Sequence, residues 1–301
     1  MAAVADPEEQ LAWEARQRPR AAIVALVAAL LSVAGILWSG LALRDLPRSY
    51  LLQSMGQALA PGPIGRQPSL RTREFEYYDD HALAFIGTGV VRALAFLAFA
   101  WVVTFLAITT RGRRTEMSRI VIYTALIGPV LAGVGALLGG VGTVVAVSNF
   151  LDGPHTVDAA REVANDPLLI TATLLSQNLA PLLVAASLLL VSLNAMRVGL
   201  LTRFLGILGM ICGALAVLSQ FVFVFVGTFW LVALALVFLD RVPGGTPPAW
   251  RSGRPEPWPS QREVADARRA ARARQEPAPE PAVTGGRPHS SSKKRKRKRR
   301  S

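Results

Sequence analysis

The stretch FLGILGMICGALAVLSQFVFVFVGTFWLVALALVFLD, residues 204–240, carries no charged side chain before its final aspartate. As one α-helix it would extend about 55 Å, at 1.5 Å per residue, against a hydrocarbon core about 30 Å thick. Two helices of about 17 residues fit that thickness better. They turn near Ser219 and Gln220, where the chain has neither charge nor proline. One very long helix is the alternative, and it would leave the two ends of the chain on opposite sides of a membrane.

The same reading extends upstream. Apolar runs at about 21–43, 88–110, 120–148 and 168–194 are each long enough to cross, because a spanning helix needs about 20 mostly apolar residues. Hydrophobic content is 51% over 301 residues, which ordinary soluble domains approach. Segregation into long charge-poor runs is what decides. A soluble fold can bury one such run, but hardly five or six without large exposed apolar patches. The first run exceeds the roughly 7–15 residues of a signal-peptide core, which favours an uncleaved span. The expected architecture is an all-α polytopic transmembrane helical bundle of six spans, at 21–43, 88–110, 120–148, 168–194, 204–219 and 221–240. Residues 1–20 precede this membrane domain (21–241), and a disordered basic tail (242–301) follows it.

Lysine and arginine near span ends are retained on the cytoplasmic side. Arg16, Arg18 and Arg20 precede the first run, and Arg111, Arg113, Arg114 and Arg119 oppose only Glu116 after the second. Arg197 and Arg203 follow the fourth run, and Arg241 follows the last. The loop at 151–167 instead holds Asp152, Asp158, Glu162 and Asp166 with only Arg161, while the loop at 44–81 is balanced. This alternation predicts both chain ends in the cytoplasm.

Arg92 is the one strongly basic residue inside a predicted span, and no Asp or Glu lies within the other spans to pair with it. If the hydrocarbon begins nearer Val91, the side chain snorkels to the outer headgroups, which is the favoured reading. If the helix enters at Ala82, Arg92 lies about 15 Å along the axis and needs a partner or a water-lined cavity. The fourth run adds Thr171, Thr173, Ser176, Gln177, Asn178 and Pro181. Proline frees the carbonyl four residues back, here that of Gln177, and kinks the helix. Arg92, Ser176, Gln177 and Asn178 therefore make a candidate intramembrane polar site. The plainer reading is hydrogen-bonding glue between helices.

Glycines crowd the third run (Gly133, Gly135, Gly139, Gly140, Gly142) and the fifth (Gly206, Gly209, Gly213). Such small residues let another backbone approach closely, within the chain or between copies. No catalytic residue, cofactor site or metal site is expected. Cys212 stands alone in an apolar run, which excludes an internal disulfide and a cysteine-based zinc site. Asp79, Asp80 and His81 adjoin one another, but neighbouring residues diverge and seldom close a coordination shell; an interface anchor is the better reading. Residues 49–60 are moderately apolar and read as a short interfacial helix.

From Arg251 on, sixteen Lys and Arg oppose five Asp and Glu, so most of the net charge of +13 lies in the tail. Its proline-rich composition predicts disorder, with a short helix at 261–275 and with Trp250 and Trp258 anchored among headgroups. Lys293, Lys294, Arg295, Lys296, Arg297, Lys298, Arg299 and Arg300 form an unbroken basic block. Anionic lipid is its simplest partner, at about 1 kcal/mol per base near the surface. A membrane-protein partner or a second copy is the other expectation; nucleic acid would be bound only non-specifically.

Three elements carry a resemblance: Gly199-Leu200-Leu201-Thr202-Arg203-Phe204-Leu205-Gly206, Pro243-Gly244-Gly245-Thr246-Pro247-Pro248-Ala249-Trp250 and Pro257-Trp258-Pro259-Ser260. In these the chain resembles uncharacterised conserved polytopic membrane proteins of high-GC actinobacteria, over roughly residues 20–275. The resemblance implies a bacterial plasma membrane and brings no activity, ligand or cofactor. The leading expectation is a non-enzymatic scaffold or modulator acting through its tail. A small-solute transporter or channel-like protein is the alternative, using Arg92, Gln177, Asn178 and kinks at Pro129 and Pro181. A membrane enzyme ranks third, for want of an acid–base pair.

Overall fold

Five helical stretches are long and apolar enough to cross a membrane: Glu8–Ala42, Ala82–Arg113, Ile120–Leu151, Pro167–Arg197 and Gln220–Phe238. A sixth apolar helix, Arg203–Leu218, is shorter. The chain is thus an all-α, polytopic membrane protein. The computed structural model describes residues 7–47, 51–242, 245–257 and 261–275. The basic block at 293–300, and the disorder expected there, lie outside the described residues, as does Trp258.

In chain order the helices are α1 (Pro7–Ala42), α2 (Leu51–Leu59), α3 (Thr72–Asp80), α4 (Ala82–Arg113), α5 (Ile120–Leu151), α6 (Val157–Ala164) and α7 (Pro167–Thr173). A π-helical turn, Leu174–Leu179, joins α7 to α8 (Ala180–Arg197), and α9 (Arg203–Leu218), α10 (Gln220–Phe238) and the short α11 (Ala249–Ser252) follow. A separate unit contains α12 (Gln261–Gln275), whose described side chains are all exposed.

Local signals set the helix ends. The Asp166 carboxylate accepts from the Leu168 and Leu169 N–H groups, and Pro167 takes the first helical position, where its missing donor is not needed. Thr202 caps α9 through the Leu205 N–H. Ser219 is extended, at φ −160° and ψ 101°, and its hydroxyl accepts from the Val222 N–H. That single residue breaks the stretch 204–240 into two helices.

Packing closes a ring: α1 on α4, α4 on α5, α5 on α7 and α8, α8 on α9, α9 on α10, and α10 on α1. Glycines make the close approaches. A Cβ on Gly135 would stand 2.8 Å from Ser176, and one on Gly209 would stand 2.2 Å from the Ser192 hydroxyl. Gly206 faces Met196 while Gly213 faces Leu188 and Leu189, so α9 doubles back along α8. The Trp230 indole donates to the Leu205 carbonyl at 3.1 Å, so α10 doubles back along α9. At the tip of this hairpin the Gln220 amide donates to the Ser176 carbonyl at 3.1 Å. Ser176 lies nine residues after Pro167, so the hairpin stops roughly 14 Å short of the start of α7.

Beyond the tip, α3 lies across the helix ends. Phe75 is buried against Phe150 at 4.7 Å between ring centroids, with Val147 and Ala160 beside it. The Tyr77 hydroxyl donates to the Ala42 carbonyl at the end of α1, at 2.9 Å. The two loops at this end are stitched by backbone bonds from Ser69 N–H to the His155 carbonyl (2.8 Å) and from Val157 N–H to the Gln67 carbonyl (2.9 Å). Within the expected interfacial segment, α2 covers a narrower range, and Leu51, Leu52 and Leu59 are exposed.

The opposite end departs from expectation in two ways. First, α1 begins at Pro7 rather than near Ala21 and carries Glu14 into a buried ion pair with Arg113, their side chains 1% and 0% exposed. The pairing is bidentate, with one arm at 2.8 Å, and Arg113 also donates to the Ala249 carbonyl at 2.7 Å. Second, Trp250, expected to anchor among headgroups, is buried by the protein, 3% exposed. Its indole donates to the Leu200 carbonyl at 2.8 Å, and the Arg18 and Arg113 guanidinium groups lie 5.0 and 5.5 Å from its ring centroid. The segment expected to open the tail is therefore folded against the bundle beside the start of α1, through Ala249 and Trp250. Composition underestimates this, because proline in short non-helical packing gives up no needed donor.

Candidate functional site

Where the hairpin ends, the ring encloses a half-open cavity of about 400 Å³, within the size range of small-molecule sites. Its floor is the hairpin tip, with Gln220, Phe221, Phe223 and Val224. Three of the four polar residues singled out from the sequence converge on it: Arg92 from α4, and Ser176 and Gln177 from the π-helical turn. Asn178 does not line it. Its amide instead turns back onto the Thr173 carbonyl at 3.2 Å, as expected for a residue rotated by one helical step from Gln177.

The π-helical turn explains the convergence and corrects the expected carbonyl. Ala180 N–H donates five residues back, to Leu175. In that register the missing proline donor at Pro181 orphans the Ser176 carbonyl, not that of Gln177. Gln220 reaches across from α10 and donates to it. Single π turns of this kind recur at functional sites.

Arg92 is exposed to the cavity and has no ion-pair or hydrogen-bond partner among the described residues. Gly35 on α1 makes room for its stem: a Cβ there would stand 3.3 Å from Arg92 Cγ. Arg92 therefore lines the cavity, as the second of the two expected settings requires. No Asp or Glu is among the lining residues. The N-terminus of α10 and the C-terminus of α9 meet at the hairpin tip, so their opposite partial charges largely offset one another there. Among the described residues the Gln177 side-chain amide and the buried Thr228 hydroxyl, both lining the cavity, have no hydrogen-bond partner. The site holds the Arg92 charge with no carboxylate among its lining residues, and amides and hydroxyls that can donate or accept.

The chain matches no family model, no curated protein and no solved structure.

Among the described residues no group of three or more His, Cys, Asp and Glu could hold a metal ion. His81 stacks on Tyr77 at 4.1 Å and is bonded to its carbonyl, so it does not converge with Asp79 and Asp80. Cys212 is buried and free. Sequence reading passed over Ser32, Gly35, Ile36 and Ser39, which line the cavity from one stripe of α1. Their spacing of three, one and three residues is a helical face and is the signal that marks them. Both serines donate to their own helix, to the Ala28 and Gly35 carbonyls.

Proposed function

We propose that this chain is a non-enzymatic, multi-pass plasma-membrane protein that binds an anionic ligand within its helical bundle. One observation carries the reading: an arginine without a counter-ion in a cavity free of carboxylates. Intramembrane ionisable residues are costly and mark ligand or ion pathways. The alternation of basic loops supports both chain ends in the cytoplasm and a six-helix membrane domain, with α9 and α10 as the last pair.

The test uses three molecules of one shape. Benzoate, benzamide and benzylammonium are titrated calorimetrically against the full chain in lipid nanodiscs. A hydrogen bond to a charged partner contributes about 1.5–3 kcal/mol, so benzoate should bind roughly 10–100-fold tighter than benzamide. Arg92→Gln should abolish that preference while the melting temperature holds, and Arg92→Lys should keep part of it. Preference for benzylammonium, or an unchanged preference in Arg92→Gln, would refute the reading.

A second reading is a scaffold or modulator that engages anionic lipid or a membrane-protein partner through the tail. The exposed arginines of α12, among them Arg268 and Arg269, favour it. A chain ending at Gly286 should insert normally and lose tail-dependent neighbours in quantitative crosslinking; an unchanged set of neighbours removes this reading.

A further inference from the structure

We infer that the anion held at Arg92 is the headgroup of a membrane lipid that enters sideways between α1 and α7. The inference rests on the anion reading above and adds the route and the ligand class.

The route follows from where the ring is incomplete. At the level of the hairpin, α9 and α10 fill the space between α8 and α1. Past Ser219 they are gone, and α1 and α7 share no extensive packing interface of their own among the described residues. The wall of the bundle is open there over the roughly 14 Å between the hairpin tip and the start of α7. The neighbouring seams are packed. The Trp38 indole donates to the Ala84 carbonyl at 3.1 Å and lies against Gly87, sealing the seam between α1 and α4 beyond Arg92. Gly89 packs on the Ala136 carbonyl and Gly140 on that of Phe85, sealing the seam between α4 and α5. Across the end, α3 reaches from α5 to the last turn of α1 through Tyr77.

The lining fits a molecule with two characters. Ile36, Phe96, Phe99, Phe223 and Val224 supply apolar wall, while Arg92 and Gln177 supply donors at one place. Phe221, 66% exposed, and Gln177, also exposed, stand at the rim. A charged headgroup at Arg92 leaves its acyl chain free to run out through the opening into the hydrocarbon. A lipid reaches the opening with its acyl chain already in the hydrocarbon, whereas a soluble anion such as benzoate comes from water and gives up more of its hydration to enter.

The experiment uses the full chain in phosphatidylcholine nanodiscs containing a minor fraction of phosphatidylglycerol with a diazirine midway along one acyl chain. After illumination, peptides containing Gln177 and Phe221 should carry the label. Arg92→Gln should lower that labelling roughly tenfold or more, and Arg92→Lys should keep most of it, with melting temperatures recorded for both. Phosphatidylcholine bearing the same diazirine should label these peptides no more than other lipid-facing ones. Equal labelling by the two lipids, or labelling indifferent to Arg92→Gln, overturns the lipid assignment. So does displacement of the label by sodium phosphate added to the aqueous phase. If benzoate still binds through Arg92 when the lipid fails, the anion reading stands alone; if neither binds, both fall.

Discussion

Replacing Glu14 with alanine strips the Arg113 guanidinium of its carboxylate while leaving it fully enclosed. Two acceptors remain, the Thr109 and Ala249 carbonyls at 3.2 and 2.7 Å. Removing one member of a buried ion pair costs about 3–5 kcal/mol, because the surviving charge keeps its desolvation penalty. With two carbonyls still in place the lower figure applies, about 3 kcal/mol. On the scale of domains of 150–250 residues this is a fall of roughly 6–12 °C in melting temperature. The assay is thermal unfolding in detergent across a double-mutant cycle of Glu14→Ala, Arg113→Met and the two together. The double variant leaves no lone charge, so it should lose less than Glu14→Ala does. Limited proteolysis of residues 245–257 supplies a local readout, since Arg113 also holds the Ala249 carbonyl. A single variant melting within about 2 °C of the parent, or single costs that simply add in the double, would refute the reasoning.

Other outcomes follow from particular contacts. Gly135→Val should cost about 1–3 kcal/mol by forcing α5 off the π-helical turn, whereas Gly40→Ala, with nothing within 4 Å of the new Cβ, should leave the melt unchanged or raised; equal effects would remove the packing argument. Pro181→Ala restores a donor for the Ser176 carbonyl, displaces Gln220 and should weaken benzoate binding several-fold without lowering the melting temperature; unchanged affinity would separate the π turn from the site. Burial first, and then Glu74, raises the Tyr78 phenol above its ordinary value of 10.0. Because the folded chain holds that proton more tightly, Tyr78 contributes stability that is intact below the ordinary value and lost as pH climbs through the raised one. Tyr78→Phe should remove that alkaline loss in melts taken above pH 10.0; an identical pH profile would dismiss it.

Much of this fold is written in the sequence as length and charge. Charge-poor runs announce membrane helices because nothing else satisfies a backbone in hydrocarbon, and Ser219 marks the break because a serine can cap the helix that follows. Arg92, Ser176 and Gln177 were legible as individual polar residues in apolar helices. Their common cavity was not, since it depends on which helices pair and at what height, and small residues such as Gly35 and Gly135 set that only through contact. Asn178 was misgrouped because adjacency along a chain is divergence around a helix. The Glu14–Arg113 pair was hidden for a different reason: each residue reads as ordinary flanking charge until the Trp250 segment folds over both.

The hairpin of α9 and α10 has a consequence for sidedness. Since it leaves the bundle at the end where it entered, it adds an even number to the tally of crossings, whether that number is two or zero. The side on which the tail emerges is therefore decided by the four long helices before it, Glu8–Ala42, Ala82–Arg113, Ile120–Leu151 and Pro167–Arg197. Parity is settled once Arg197 has been made. Residues 203–238 can then be deepened, shortened or exchanged as one insert, remodelling the cavity floor, without turning the rest of the protein inside out.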